Sequence, residues 1–194
     1  LDAASLAEPI ACGWHTVKLA KEALSGSAKT ALVIGGGAIG LGAALSLAAQ
    51  GLSNVTIVEP NALRRDVLNT QCGQTAISPD DLSGDAMFDL VIDGVGYAAT
   101  RATASAHTRP GGVIGHIGLG EGTGGLDVRR MTLQEITFIG TYTYTAQDFR
   151  DTTAAIFDGR LGTLDWTEQR PLSDGASAFS DIRAGRTAAP KIIL

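Results

Sequence analysis

The stretch TALVIGGGAIGLGAALSLAAQ, Thr30 to Gln50, decides the fold. No charged residue lies between Lys29 and Glu59, and Ala31 to Ala49 is apolar apart from Ser46. A run of that length meets the crude criterion for a membrane span. Five of those residues are glycine, however, and Gly35-Gly36-Gly37 stands where a spanning helix would have to be regular. Two elements joined by a turn account better for the stretch. Thr30 to Ile34 reads as a β-branched strand, and Ala38 to Gln50 as an alanine-rich helix closed by Gly51. Burial of both against a sheet explains the missing charge.

The turn between them fits G-x-G-x-x-G, with its key positions at Gly35, Gly37 and Gly40. Such a match is weak alone in a chain with 25 glycines among 194 residues. A strand before it, a helix after it and Glu59 at the end of the next strand raise its weight. Gly35 permits the tight turn, Gly37 lets backbone N–H groups approach a pyrophosphate, and Gly40 lets the helix pack closely. The free N–H groups and positive dipole end around Ala38, Ile39 and Gly40 suit a diphosphate. A carboxylate at Glu59 can accept hydrogen bonds from the adenosine ribose and repels a 2′-phosphate, which favours NAD over NADP. Arg64 and Arg65 follow in the next helix, with Arg64 placed to reach the ribose or adenine edge.

Further along, Asn54 to Val58, Gln74 to Ser78, Leu90 to Asp93, Val113 to Leu119 and Thr137 to Thr143 read as strands. Ala62 to Asn69 and Tyr97 to Thr108 read as helices, the second stopped by Pro110-Gly111-Gly112. The alternation predicts an α/β fold, a Rossmann doubly wound parallel sheet of about six strands. After Thr145 the pattern changes to helices at Gln147 to Phe157 and Asp174 to Ala184 and a terminal strand at Lys191 to Leu194. We therefore divide the chain into a leading helix and interdomain segment (1–25), a nucleotide-binding core (26–145) and a C-terminal part (146–194). A ligand would extend across the strand ends at Asp93-Gly94-Val95-Gly96 and Ile117-Gly118-Leu119-Gly120, where it can meet bare backbone.

Composition narrows the partners. Fifteen basic against twenty acidic residues give a net charge of −5, which leaves no basic footprint for nucleic acid. Cys12 and Cys72 form no metal or disulfide pattern, so a reducing cytoplasm is expected. The chain opens on Leu1 with no basic n-region, which points to a fragment or processed product rather than a secretory leader.

Together these residues resemble the zinc-dependent medium-chain alcohol dehydrogenases, nearest their polyol (sorbitol-type) branch. The resemblance runs from Glu8-Pro9-Ile10 through Gly35 to Gly40, Glu59, Asp93 to Gly96 and Ile117 to Leu119, and ends at Ala189 to Leu194. It implies that Gly35, Gly37, Ala38 and Ile39 contact the pyrophosphate, and Glu59 with Arg64 the adenosine end. Gly94 and Val95 would lie under the adenosine and its ribose, and Ile117, Gly118, Leu119 and Thr141 would approach the nicotinamide. It also implies a homo-oligomer paired through the edge strand near Thr137 to Thr143.

Family members carry zinc on an N-terminal catalytic domain that this sequence lacks. In the intact enzyme the metal would polarise an alcohol oxygen, whose carbon gives a hydride to NAD. Only Glu8 matches a position near that metal, and it reads more simply as an acid leading a helix before Pro9. The isolated chain is thus expected to bind cofactor and catalyse nothing. The segments Glu8 to Val17 and Pro171 to Leu194 would pack on the missing domain. His15 reads as a packed or capping histidine, and His116 as facing the sheet packing or the cleft. Tyr142 and Tyr144 lack a lysine four positions on, and Tyr97 is followed there by Arg101, which disfavours Tyr-x-x-x-Lys chemistry. The rival readings are a non-catalytic NAD-sensing module and an S-adenosylmethionine-dependent methyltransferase.

Overall fold

A computed structural model describes residues 2–194. Its centre is a sheet of six strands in the order β3-β2-β1-β4-β5-β6, every neighbouring pair parallel. The strands are β1 (Ala31–Ile34), β2 (Val55–Val58), β3 (Thr75–Ile77), β4 (Phe88–Asp93), β5 (Thr108–His116) and β6 (Thr137–Gly140). The order reverses between β1 and β4, and a crevice opens there at the carboxyl ends of the strands. Alternate residues of β1 serve two cores. Ala31 and Val33 point to one face, Leu32 and Ile34 to the other, and all four are buried. Burial on both faces is why this strand carries a continuous apolar run rather than an alternating one.

The first face is covered by α2 (Ala7–Ala23), α3 (Ala38–Ala49), α4 (Ala62–Thr70), whose Leu68 joins the same core, and α7 (Ala146–Phe157). Its core joins Ile10, Trp14 and Val17 of α2 to Leu41 and Leu47 of α3 and Ile156 of α7. The opposite face carries α5 (Ala98–His107) and the short α6 (Val128–Leu133), with a smaller core around Ala104, Ile114 and Ile136. A one-turn helix, α1 (Asp2–Ser5), precedes α2. Beyond α7, β7 (Thr167–Gln169) and β8 (Lys191–Ile193) form a separate two-stranded parallel sheet flanking α8 (Gly175–Arg183).

Three expectations are corrected. The segment Glu8 to Val17 does not wait for an absent partner, because α2 is buried within this chain from Pro9 to Trp14. Its contact with α3 is backbone to backbone. A Cβ on Gly13 would lie 2.6 Å from Ala43 N, and one on Gly42 would lie 3.1 Å from Ile10 Cα. Second, Pro110-Gly111-Gly112 does not separate helix from strand but lies inside β5. The partners run Phe88 to Thr108 and then Leu90 to Val113, so the ladder bulges at the proline. Third, β5 ends at His116 and β6 at Gly140, short of Leu119 and Thr143. The chain leaves β5 early because Ile117 N and Gly118 N both turn to Asp93 O, at 3.0 and 3.1 Å. The terminal strand pairs with β7, a short strand that the sequence reading did not include. In the C-terminal part, Leu172, Phe179 and Ile182 stay exposed. Among the described residues, no helix is long and apolar enough to cross a membrane.

Candidate functional site

Two adjoining cavities lie over the carboxyl ends of the sheet. The larger, about 720 Å³, is lined by Gly35, Gly37, Ala38, Ile39, Gly40, Glu59, Arg64, Gly94 and Val95 among others. The smaller, about 280 Å³, holds Ile117, Gly118, Leu119 and Thr141. Ile39 and Gly94 line both, which makes one continuous two-lobed cleft. Every residue that the sequence nominates for nucleotide contact therefore falls on one of the two lobes.

The glycine turn builds the floor. Gly35 has φ +94°, and a Cβ there would meet Val95 Cγ2 at 2.4 Å. A Cβ on Gly40 would stand 1.8 Å from Gly35 O, so the third glycine lets the helix close onto its own turn as well as onto Val33 of the sheet. Gly37 differs, because a Cβ there meets nothing within 4 Å. It begins α3 without any side-chain cap, which leaves the first helical N–H groups directed at open space.

Glu59 is almost fully buried at the mouth of the larger lobe. Its Oε2 accepts from Gly36 N and its Oε1 from Asn61 N, both at 2.8 Å. Arg64 Nη1 lies 3.6 Å from Oε2, while Arg64 Nε is buried with no hydrogen-bond partner among the described residues. Arg65 turns away, donating to the carbonyls of Glu59 and Pro60. Asn61 caps α4 by accepting from Leu63 N and Arg64 N, so the cap and the arginine are set by one side chain.

Beneath the junction of the lobes, the fully buried Asp93 orders the turn after β4. Its Oδ1 accepts from Val95 N and Gly96 N at 2.9 Å, and its Oδ2 accepts from Thr100 Oγ1 at 2.9 Å. His116 Nδ1 lies 3.2 Å from that same Oδ2, and its ring packs 5.4 Å from that of Phe138. Burial alone would raise the Asp93 carboxyl. The His116 ring, the two N–H groups and Thr100 outweigh it and hold the group below its ordinary range.

In the smaller lobe, Thr141 Oγ1 meets Thr16 Oγ1 at 2.6 Å, which ties the end of β6 to α2. Cys12 also lines this lobe, and sequence reasoning missed it. Its Sγ donates to Glu8 Oε1 at 3.8 Å, and burial with the neighbouring carboxylate pushes the thiol up to about 11. The available signal was the spacing of Glu8 and Cys12, four apart on one helix face. His15 stands outside the cleft, 2.8 Å from Asp148 Oδ2. Among the described residues, no group of three or more His, Cys, Asp or Glu side chains is arranged to hold a metal ion. A catalytic zinc takes about three protein ligands, so the side chains of this chain do not fit the ion on their own.

Sheet order, glycine turn and acid at the second strand define a Rossmann-type α/β domain. A family model described as zinc-binding dehydrogenase matches residues 38–158, and the chain belongs to that family. It is 31% identical over 175 residues to a probable diacetyl reductase [(R)-acetoin forming] of Saccharomyces cerevisiae, covering 83% of this chain and 41% of the relative. Its fold matches L-idonate 5-dehydrogenase of Escherichia coli with a TM-score of 0.83, at 18% identity, over 99% of this chain and 57% of that one. Acetophenone reductase of Geotrichum candidum, solved in complex with NAD, matches with a TM-score of 0.79 at 22% identity, over 94% and 52% of the two chains. The chain spans about half the length of the curated relatives it matches.

Proposed function

We propose that this chain is the NAD-binding part of a zinc-dependent alcohol or polyol dehydrogenase. The observation that carries the reading is the two-lobed cleft, into which the glycine turn, Glu59 and the β5 end all open. The residues present fit a dinucleotide. An uncapped helix start, a buried arginine nitrogen without a partner and a cradle kept free of side chains at Gly37 are each completed by one.

Gly35, Gly37, Ala38, Ile39 and Gly40 would receive the pyrophosphate, with α3 supplying N–H groups and dipole. Glu59 and Arg64 would hold the adenosine ribose, and the Glu59 carboxylate would repel a 2′-phosphate. Gly94 and Val95 would support the adenosine side of the cleft. Ile117, Gly118, Leu119 and Thr141 would orient the nicotinamide and exclude water from it. NAD, when bound, supplies the hydride acceptor. Zinc and the substrate pocket belong, on this reading, to the complete protein. We read residues 26–145 as the binding core, with 1–25 and 146–194 flanking it. We also propose a homo-oligomer through the free edge of β6, in a reducing cytoplasm where Cys12 and Cys72 stay unpaired.

Separate titrations with NAD, NADP and S-adenosylmethionine test the reading, followed through Trp14 and Trp166. NAD is expected to bind tightest. Tightest binding of S-adenosylmethionine would overturn the assignment, and alcohol-dependent NADH formation by the chain alone would overturn the division of labour.

A further inference from the structure

The Gly120–Gly125 loop carries no hydrophobic side chain of its own. Its sequence is Gly-Glu-Gly-Thr-Gly-Gly, and residues 120–124 are exposed. Four glycines in six residues make ordering such a loop costly in conformational entropy. Besides backbone bonds and the Glu121 carboxylate, which accepts from Ala98 N at 3.1 Å, one buried cation holds it. Arg101 of α5 is 6% exposed, and its guanidinium donates only to backbone carbonyls. Nε donates to Gly124 O at 2.6 Å, Nη1 to Gly96 O at 2.9 Å and Glu121 O at 3.0 Å, and Nη2 to Thr123 O. No carboxylate pairs with it among the described residues. A rigid five-donor fork suits this task in a way an ammonium does not.

The clamp joins two turns that touch without side chains between them. A Cβ on Gly96 would lie 2.2 Å from Gly118 O, and one on Gly118 would lie 2.1 Å from Val95 C. Gly120 N donates to Val95 O and Glu121 N to Gly96 O, at 3.1 and 2.8 Å. The turn at Gly94 to Gly96 is thus oriented from both sides: the Asp93 carboxylate takes its N–H groups, and Arg101 donates to its carbonyl. Gly94 lines both lobes, and Gly118 with Leu119 lines the smaller. Glu59, just after β2, and Arg64, on α4, by contrast make no hydrogen bond to this clamp.

We infer that Arg101 is a positioning residue for the nicotinamide half of the dinucleotide. It fixes Gly96 and, packed on it, the Gly118–Leu119 wall of the smaller lobe, while on the adenosine side Val95 is held by the Asp93 carboxylate and the rest falls to Glu59, Arg64 and the glycine turn. The inference rests on the nucleotide reading of the cleft.

The test compares ADP with NAD on the full chain, for wild type, Arg101→Ala and Arg101→Lys. Arg101→Ala should hold ADP within about twofold of wild type while NAD weakens about tenfold or more, the scale of a lost charged hydrogen-bond set. Added ethylguanidinium should restore NAD binding to Arg101→Ala and leave ADP unchanged, a rescue that general destabilisation would not show. Arg101→Lys keeps the charge without the fork, so it should lose NAD selectively by a smaller factor, and it serves if the alanine variant does not fold. Unchanged NAD binding in both variants, or equal loss of ADP and NAD, overturns the inference while the nucleotide reading stands. A wild type that binds neither ligand overturns both.

Discussion

At the scale of single residues, Gly40 and Glu59 carry the sharpest expectations. A methyl group at position 40 has nowhere to go, because the obstructing atom is the Gly35 backbone carbonyl rather than a flexible side chain. Gly40→Ala should therefore destabilise the fold by about 1–3 kcal/mol, the range for overpacked sites, and weaken NAD by distorting the turn. Urea unfolding and a NAD titration of the same variant check both. Glu59→Gln keeps the shape but presents one amide N–H₂ to backbone donors, since both oxygens already accept from Gly36 and Asn61. NAD affinity should fall, and the preference for NAD over NADP should narrow because the repelling charge is gone. A preference that does not move would remove Glu59 from the discriminating role.

At the scale of elements, the contact between α2 and α3 is the joint most exposed to substitution. Gly13→Ala puts a Cβ within 2.9 Å of three backbone atoms of Gly42 and Ala43. Stability measured in urea should drop by about 1–3 kcal/mol. The ratio of ADP to NAD affinity should stay close to that of wild type, which separates this position from Arg101. Much of the element order was readable because its signals are local. The β-branched run, the glycine turn, the helix closed at Gly51 and the acid at Glu59 lie within thirty positions and reinforce one another. The unread elements were those whose stability comes from afar. β7 is three residues, Thr-Glu-Gln, with no apolar alternation, and it exists because β8 pairs with it. The bulge through Pro110 reads locally as a breaker, and only the ladder to β4 shows the strand continuing. Cys12 and Arg101 escaped for the same reason. Nothing near them in sequence announces that α2 crosses beside the β5 and β6 ends, or that four carbonyls converge on one guanidinium.

At the scale of the whole molecule, one buried carboxylate ties the first helical layer together. Asp148 of α7 is fully buried and meets Lys18 and His15 of α2, with Thr145 completing the set. Burial would raise its carboxyl, but the bonds from Lys18, Thr145 and His15 prevail and hold it well below the ordinary carboxylate range. A depressed folded-state value means the contribution is complete above the unfolded value, about 3.9, and is lost as pH falls below it. Asp148→Asn should cost about 2–3 kcal/mol near neutral pH, discounted for the partial exposure of Lys18. The wild-type and variant stability curves should converge below about pH 4. A gap that stays constant into acid would show that the charge is not what joins the two helices. The free edge of β6 belongs to this scale as well. Sedimentation equilibrium should give twice the chain mass, and a strictly monomeric chain would withdraw the edge as an oligomer contact.

The glycine contact between α2 and α3 has one more bearing. α3 begins at the turn that would seat the pyrophosphate, and α2 carries the Cys12 thiol at the far lobe. With no side chain between the two backbones, no rotamer change at the contact can lengthen or shorten the span from phosphate cradle to the Cys12 backbone. The pair behaves as a fixed gauge, so any adjustment of the cleft on filling has to come from its opposite wall, the glycine turns that Arg101 holds.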